Sequence, residues 1–235
     1  MLIDMHSHTS AISKCAKIDY KNLILLNKEI GLDGMVLTNH YDKSYVVDMT
    51  CEDFAQKYIN EYFDAHKFGK ENGFKVYFGI EVTLSKYENV HLLIYGVEPE
   101  FLLVFPDIYD YDLDYIYEIV KERDAYLVQA HPLRINNYQI NPKYLDGIEF
   151  NCHFKKNGPN VDKIIEIANR ENLFITCGGD FHNDTPRSKC GKFFKDNNLS
   201  DTKALLDTIN SNRYNRYLIH ENHDEKPYEI EVKIY

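Results

Sequence analysis

The chain has no surplus of positive charge, no long apolar run and no metal-type cysteine spacing, and each absence removes a class of function. Against 37 acidic residues stand 27 Lys and Arg, a formal net charge of −10. No global field therefore draws the chain to nucleic acid, and only a local basic groove would do so. An anionic substrate would need a metal ion or a local arginine to hold it. The five cysteines, Cys15, Cys51, Cys152, Cys177 and Cys190, are odd in number, widely spaced and free of any C-x-x-C. That argues against a disulfide framework or a structural zinc knot and suits a reducing cytoplasm. The start shows no basic segment followed by an apolar one, and no apolar run approaches the roughly 18 residues of a membrane span. The expectation is a soluble, unprocessed cytoplasmic protein with no membrane partner. Neither repeats nor linkers interrupt the 235 residues, of which 44% are hydrophobic, enough for one core and a single domain over 1–235.

What is present is an alternation of short apolar runs with helical periodicity. Residues 2–5 read as a buried strand, and 18–31 as a helix with Asp19 as cap, Leu23, Leu26, Asn27 and Ile30 at helical spacing, and a glycine stop. Residues 34–38 form a second strand closing on Asn39 and His40, and 52–72 a long helix with Gly73 behind it. A third strand, 75–80, ends on Glu81, and a fourth, 90–96, carries His91 at its beginning. The gap between them is too short for a helical crossover, so the two should be antiparallel neighbours with Glu81 and His91 able to meet. Residues 98–114, acidic and tyrosine-rich, read as a solvated loop leading into a helix over 112–123. Strands follow at 125–130, ending on His131, at 147–150, ending near Asn151 and His153, and at 173–177, running into Gly178, Gly179, Asp180 and His182, with a helix over 161–172 between the last two. Ser200 and Asp201 cap a last helix to Ile209, and 214–219 and 228–234 read as terminal strands.

Potential metal ligands therefore stand at the ends of nearly every strand: His6, His8, His40, Glu81, His91, His131, Asp180 and His182. His6 and His8, two apart on a strand, point to one side and can face one ion. Function in α/β barrels lies where strand ends converge on one rim. Each histidine alone is more often a surface or hydrogen-bonded core residue. Eight such side chains at one rim fit a polynuclear metal site better than coincidence.

The motifs D-x-H-x-H (Asp4, His6, His8), T-N-H (Thr38, Asn39, His40), G-I-E (ending at Glu81), V-H-L-L (with His91), A-H-P-x-R (Ala130, His131, Pro132, Arg134) and G-D-F-H (Gly179, Asp180, Phe181, His182) together resemble the PHP superfamily, named for polymerase and histidinol phosphatase. The resemblance spans about residues 2–190. It implies an α/β fold, a distorted seven-stranded (β/α) barrel completed by the C-terminal helix and strands of 191–235, and two or three divalent ions, Zn, Mn or Fe. By that resemblance His6, His8, Glu81 and Asp180 hold one ion, Glu81 bridges to a second held by His91 and His131, and His40 and His182 serve a third. The implied activity is hydrolysis of a phosphoester by a metal-bridging hydroxide, with Glu81, Asp180, His182 and Arg134 as the catalytic groups. Two ions can share and acidify a water while clamping phosphoryl oxygens, and the planar fork of Arg134 suits a phosphate.

Departures from the family pattern qualify this. Asn39 stands where many relatives have Asp, removing a carboxylate from beside His40. Where relatives supply a third-site ligand, this chain has Ser13 and Lys14. Cys15, next in line, offers a thiolate for that ion or a small buried hydrophobe, while Lys14 would repel a dication yet neutralise a substrate phosphate. The expected substrate is a small phosphomonoester, a nucleotide or metabolite. A phosphodiesterase or exonuclease on oligonucleotides, disfavoured by the acidic charge, and a metal-binding module without turnover are the alternatives, with an amidohydrolase behind them.

Overall fold

The computed structural model describes residues 1–87, 90–134, 140–153, 160–183, 189–221 and 225–234. Its strands are β1 (Leu2–Ser7), β2 (Gly34–Leu37), β3 (His40–Tyr41), β4 (Lys75–Thr83), β5 (His91–Tyr95), β6 (Tyr126–Gln129), β7 (Gly147–Asn151), β8 (Phe174–Gly178), β9 (Gly191–Phe193), β10 (Tyr214–Ile219) and β11 (Tyr228–Lys233). The helices are α1 (Tyr20–Glu29), α2 (Cys51–Glu71), α3 (Phe101–Val104), α4 (Leu113–Lys121), α5 (Val161–Glu171) and α6 (Thr202–Ser211). The strands form one sheet ordered β11-β10-β9-β1-β2-β4-β5-β6-β7-β8, with β3 beside β4. It curls until its far strand returns to the first. Just beyond β8, Ser7 bridges Phe181 in parallel, and Asp180 N donates to His6 O at 2.9 Å.

Local chemistry explains the elements. Asp19 caps α1 by accepting from Lys21 N and Asn22 N, at 2.9 and 3.1 Å, so two of the free amides of the first turn are satisfied. Thr50 and Asp53 close a reciprocal capping box on α2, whose buried Phe54, Ala55, Tyr58 and Ile59 lie one helical turn or less apart and face the sheet. Burial of Phe54 and of Ile59 contributes about 1.5–3 kcal/mol each. The antiparallel pairing expected of the two strands around Glu81 and His91 is present as β4–β5, with Thr83 opposite His91; Glu88 and Asn89 of their connection lie outside the described residues. β5 is also antiparallel to β6, so one inverted strand joins two parallel runs.

Two expectations are corrected. Among the described residues the sheet has eleven strands rather than seven, curled so that the chain just beyond β8 meets β1. The additions β3 and β9 are two and three residues long, too short for an alternation to register, and β9, β10 and β11 extend the sheet antiparallel outward from β1. Residues 98–114 are not a solvated loop: they form α3 and bury Phe101, Leu102, Ile108 and Tyr109 in the main core. Apolar side chains interspersed among the acidic ones anchor a segment whose charge alone suggested solvation. No described helix is long and apolar enough to cross a membrane.

Candidate metal centre

Register and close approach assemble the centre. His40 of β3 lies directly opposite Glu81 of β4, and β5 carries His91 to the same edge. A Cβ at Gly178 would sit 2.3 Å from His6 Cβ and 2.9 Å from Glu149 Oε1, so glycine is what lets β8 pass beneath His6. The backbone then turns sharply: Asp180 has φ +48° and His131 φ +31°, conformations that cost a non-glycine residue and collect at functional sites.

Four donors group at the floor. His6 Nε2 and His8 Nε2 are 3.0 Å apart, His8 Nε2 is 3.2 Å from Asp180 Oδ1, and both imidazole nitrogens lie 3.4 Å from Glu81 Oε2. Donors about 2.0–2.2 Å from a shared ion stand roughly 3.0–3.5 Å from one another. The other oxygen of Glu81 faces a second group, 3.0 Å from His91 Nδ1 and 3.1 Å from His131 Nε2. His40 spans the remaining side, with Nδ1 2.6 Å from Glu81 Oε2 and Nε2 3.4 Å from His182 Nε2. Both His40 Nδ1 and Glu81 Oε2 are buried, yet despite that closeness neither makes an aligned hydrogen bond. Lone pairs aimed at a common cation behave this way, so the residues present fit divalent metal ions.

The electrostatics point the same way. Burial alone would raise the Glu81 carboxyl, but His40, His6 and His91 hold it well below the usual range. Burial opposes ionisation of Asp180 too, and Arg134 and His6 outweigh it. Burial, then His182 and His40, push His8 down toward the neutral imidazole that a metal requires, and burial lowers His131. His6 and His40 go the other way: burial is outweighed for His6 by Glu149, Glu81 and Asp180, and for His40 by Glu81, which lifts it to about 10. Asp4, Glu81, Glu149 and Asp180 are all buried, a concentration of negative charge that cations offset.

Several groups to which the sequence reading gave no role orient this set. Glu149 Oε1 is 2.8 Å from His6 Nδ1, and its other oxygen accepts from His131 N and Asn151 Nδ2 at 2.9 and 3.0 Å. One carboxylate thus fixes ligands of both groups. Asp4 Oδ1 accepts from His6 N and Gly179 N, at 3.0 and 2.8 Å. Ser13, at the first of the two departing positions, lies 3.2 Å from His8 Nδ1, donates to Asn39 Oδ1 and accepts from His40 N. His153 and His182 each donate Nδ1–H to the Asp180 carbonyl, at 2.7 and 2.8 Å, which leaves Nε2 of both as the acceptor. The inward side of the strand GIEFN, which holds Glu149, and the position of His153 two residues past it were the available signals.

The remaining anticipated residues lie at the mouth. Arg134 pairs directly with Asp180. Lys14 donates to Ser44 O at 2.8 Å and covers the Tyr45 ring, so its ammonium is engaged at the rim. Cys15 is exposed, 3.6 Å from Tyr45 Oη. Partial burial raises its thiol, but hydrogen bonds with His182 and His40 bring it down to about 5. Asn39 accepts from Thr9 N at 2.7 Å, so the amide braces the first motif.

No family model and no curated protein sequence matches the chain. Solved structures do. PsfC from Pseudomonas syringae superposes with a TM-score of 0.68 at 19% identity, covering 93% of this chain and 91% of that one. A two-domain protein from Bacteroides vulgatus containing a predicted PHP-like metal-dependent phosphoesterase gives 0.66 at 14% identity, over 94% of this chain and 65% of its own. The chain shares its fold with these structures, one of which contains a predicted PHP-like phosphoesterase. An amidohydrolase from Chromobacterium violaceum, with bound sulfate and no metal, also shares it at TM-score 0.53 and 14% identity, over 78% of this chain and 88% of that one. A shared fold does not fix the chemistry, so the reaction must be argued from the site.

Proposed function

We propose that this PHP-like chain is a metal-dependent phosphoesterase that hydrolyses a small phosphomonoester, such as a nucleotide or a phosphorylated metabolite, in a reducing cytoplasm. The observation that carries the reading is Glu81: a fully buried carboxylate whose two oxygens address different sets of imidazoles. His6, His8, Glu81 and Asp180 would hold one ion, and Glu81, His91 and His131 a second, with His40 and His182 available to a third. Bound there, divalent ions acidify water and neutralise phosphoryl oxygens. The chain supplies the rest. Arg134, half-buried at the mouth, presents a guanidinium fork to phosphate oxygens. His153, anchored through Nδ1 to the Asp180 carbonyl, keeps Nε2 to carry a proton at the leaving oxygen, whereas Nε2 of His182 is turned to His40 and the third ion. Glu149 holds His6 in the tautomer whose Nε2 is a donor to metal.

The net charge of −10 supports a small substrate over a polyanion, and five unpaired cysteines support a reducing compartment. The test is a screen of phosphorylated metabolites, single-stranded oligonucleotides and amides with Mn2+, Zn2+ and Fe2+. Turnover of phosphomonoesters that stops on chelation is the expected result. Turnover of oligonucleotides or amides alone, or tight metal binding with no turnover at all, would overturn the reading.

A further inference from the structure

Three of the five cysteines, far apart in sequence and without a metal-type spacing, come together in space. Cys152 follows β7, Cys177 lies in β8 and Cys190 precedes β9; all three are buried, and their sulfurs lie within 4.8 Å of one another. They are on the far side of β8 from the metal centre. The position of Gly178 faces His6, so alternation turns Cys177 the other way, toward Leu218 O at 3.7 Å. Cys152 N donates to Gly178 O at 2.9 Å, and Gly191, with φ +151° and a Cβ position 2.3 Å from Ile3 O, presses Cys190 against β1.

We propose that Cys152, Cys177 and Cys190 form a thiolate site for a thiophilic divalent ion of the Zn2+ class, separate from the imidazole and carboxylate centre. Sulfurs about 2.3 Å from one ion stand roughly 3.8–4.0 Å apart, inside the 4.8 Å limit that these three meet. Charge gives a second argument. Lys192, two residues after Cys190, is 4% exposed and close enough to Cys177 for their charges to interact. Its Nζ donates to Phe193 O at 2.5 Å and lies 4.9 and 5.5 Å from the Phe194 and Tyr217 rings. Among the described residues no carboxylate pairs with it. A dication and the Lys192 ammonium would together offset the charge of three buried thiolates, with the Asp4 carboxylate close by on the side of Gly179. Thiolates select softer ions than mixed imidazole and carboxylate ligands do, so the two sites would load differently. Such an ion would tie β7 and β8 to the β9 connection, a structural role.

The test uses full-length Cys15→Ser protein, which removes the thiol beside the catalytic centre, reduced and reloaded with Co2+ without oxygen. The site predicts a sulfur-to-cobalt charge-transfer band in the near ultraviolet, and one bound ion fewer together with loss of that band when either Cys177→Ser or Cys190→Ala is added. Loaded Cys15→Ser protein without the band would overturn the proposal without any core substitution. So would a band that persists in both double variants, or an intact mass lower by two hydrogens, which would show a disulfide between two of the three.

Discussion

His6, His8, Glu81 and Asp180 at the floor of the centre keep at most 1% of their side-chain surface, whereas Arg134, His91, His153 and His182 at the mouth keep 30%, 19%, 15% and 13%. The floor is over-determined: buried hydrogen bonds from Asp4, Glu149 and Ser13, a glycine that admits no side chain, and a turn at Asp180 held at positive φ all converge on it. The mouth groups lean on fewer buried partners: His153 and His182 on the Asp180 carbonyl, His91 on Glu81 and Arg134 on the Asp180 carboxylate, with His182 Nε2 also 3.4 Å from His40 Nε2. Deep ligands can hold ions in one geometry only because the shell behind them is rigid, while a mouth of loosely held cationic and imidazole groups can adapt to different phosphorylated substrates. Substitutions in the two regions should therefore fail differently.

The largest effect belongs to Glu81→Gln. A neutral amide does not balance two dications, so kcat should fall by roughly 10³-fold or more with loss of bound metal, measured by kinetics and elemental analysis together. A modest loss with full metal content would erase the contrast. Behind the floor, Glu149→Gln should weaken metal affinity by about 10–100-fold, read by titration with a competing chelator, and excess metal should restore much of the activity. At the mouth, Arg134→Ala should raise KM about tenfold with a smaller change in kcat and unchanged metal content, because it removes substrate binding and not the centre. The smallest effect is expected of Lys14→Ala, within about 0.5 kcal/mol in kcat/KM, since its ammonium is already engaged by Ser44 O and Tyr45. Cys15→Ser should cost about one ion if the thiol serves the site of His40 and His182, and a silent Cys15→Ser would sharpen the boundary between mouth and centre.

The same floor and mouth explain what the sequence disclosed. Ligands at strand ends were legible because period-2 alternation and short apolar runs mark where a strand stops, and the brief connection after Glu81 could only be a hairpin, so its approach to His91 followed. Glu149 lies within a strand, where an acidic residue reads as an outward polar position; the apolar run around it marked a buried strand, but its meeting with His6 joins residues 143 apart. His153 belongs to no spaced pair. The pairing of Arg134 with Asp180 joins residues 46 apart, which no local pattern encodes. The convergence of Cys152, Cys177 and Cys190 comes from sheet order, and their spacing along the chain argued against a metal site. In 98–114, charge outweighed the scattered apolar anchors in the reading, and the structure reversed that weighting at Leu102 and Ile108.

Anomalous diffraction from crystals grown with Mn2+, an ion that favours oxygen and nitrogen donors over buried thiols, tests the central claim most directly. The account predicts at least two peaks about 3.5–4 Å apart, one among His6, His8 and Asp180, the other beside His91 and His131, with Glu81 reaching both. A single peak, or two peaks with Glu81 bound to only one, would contradict it.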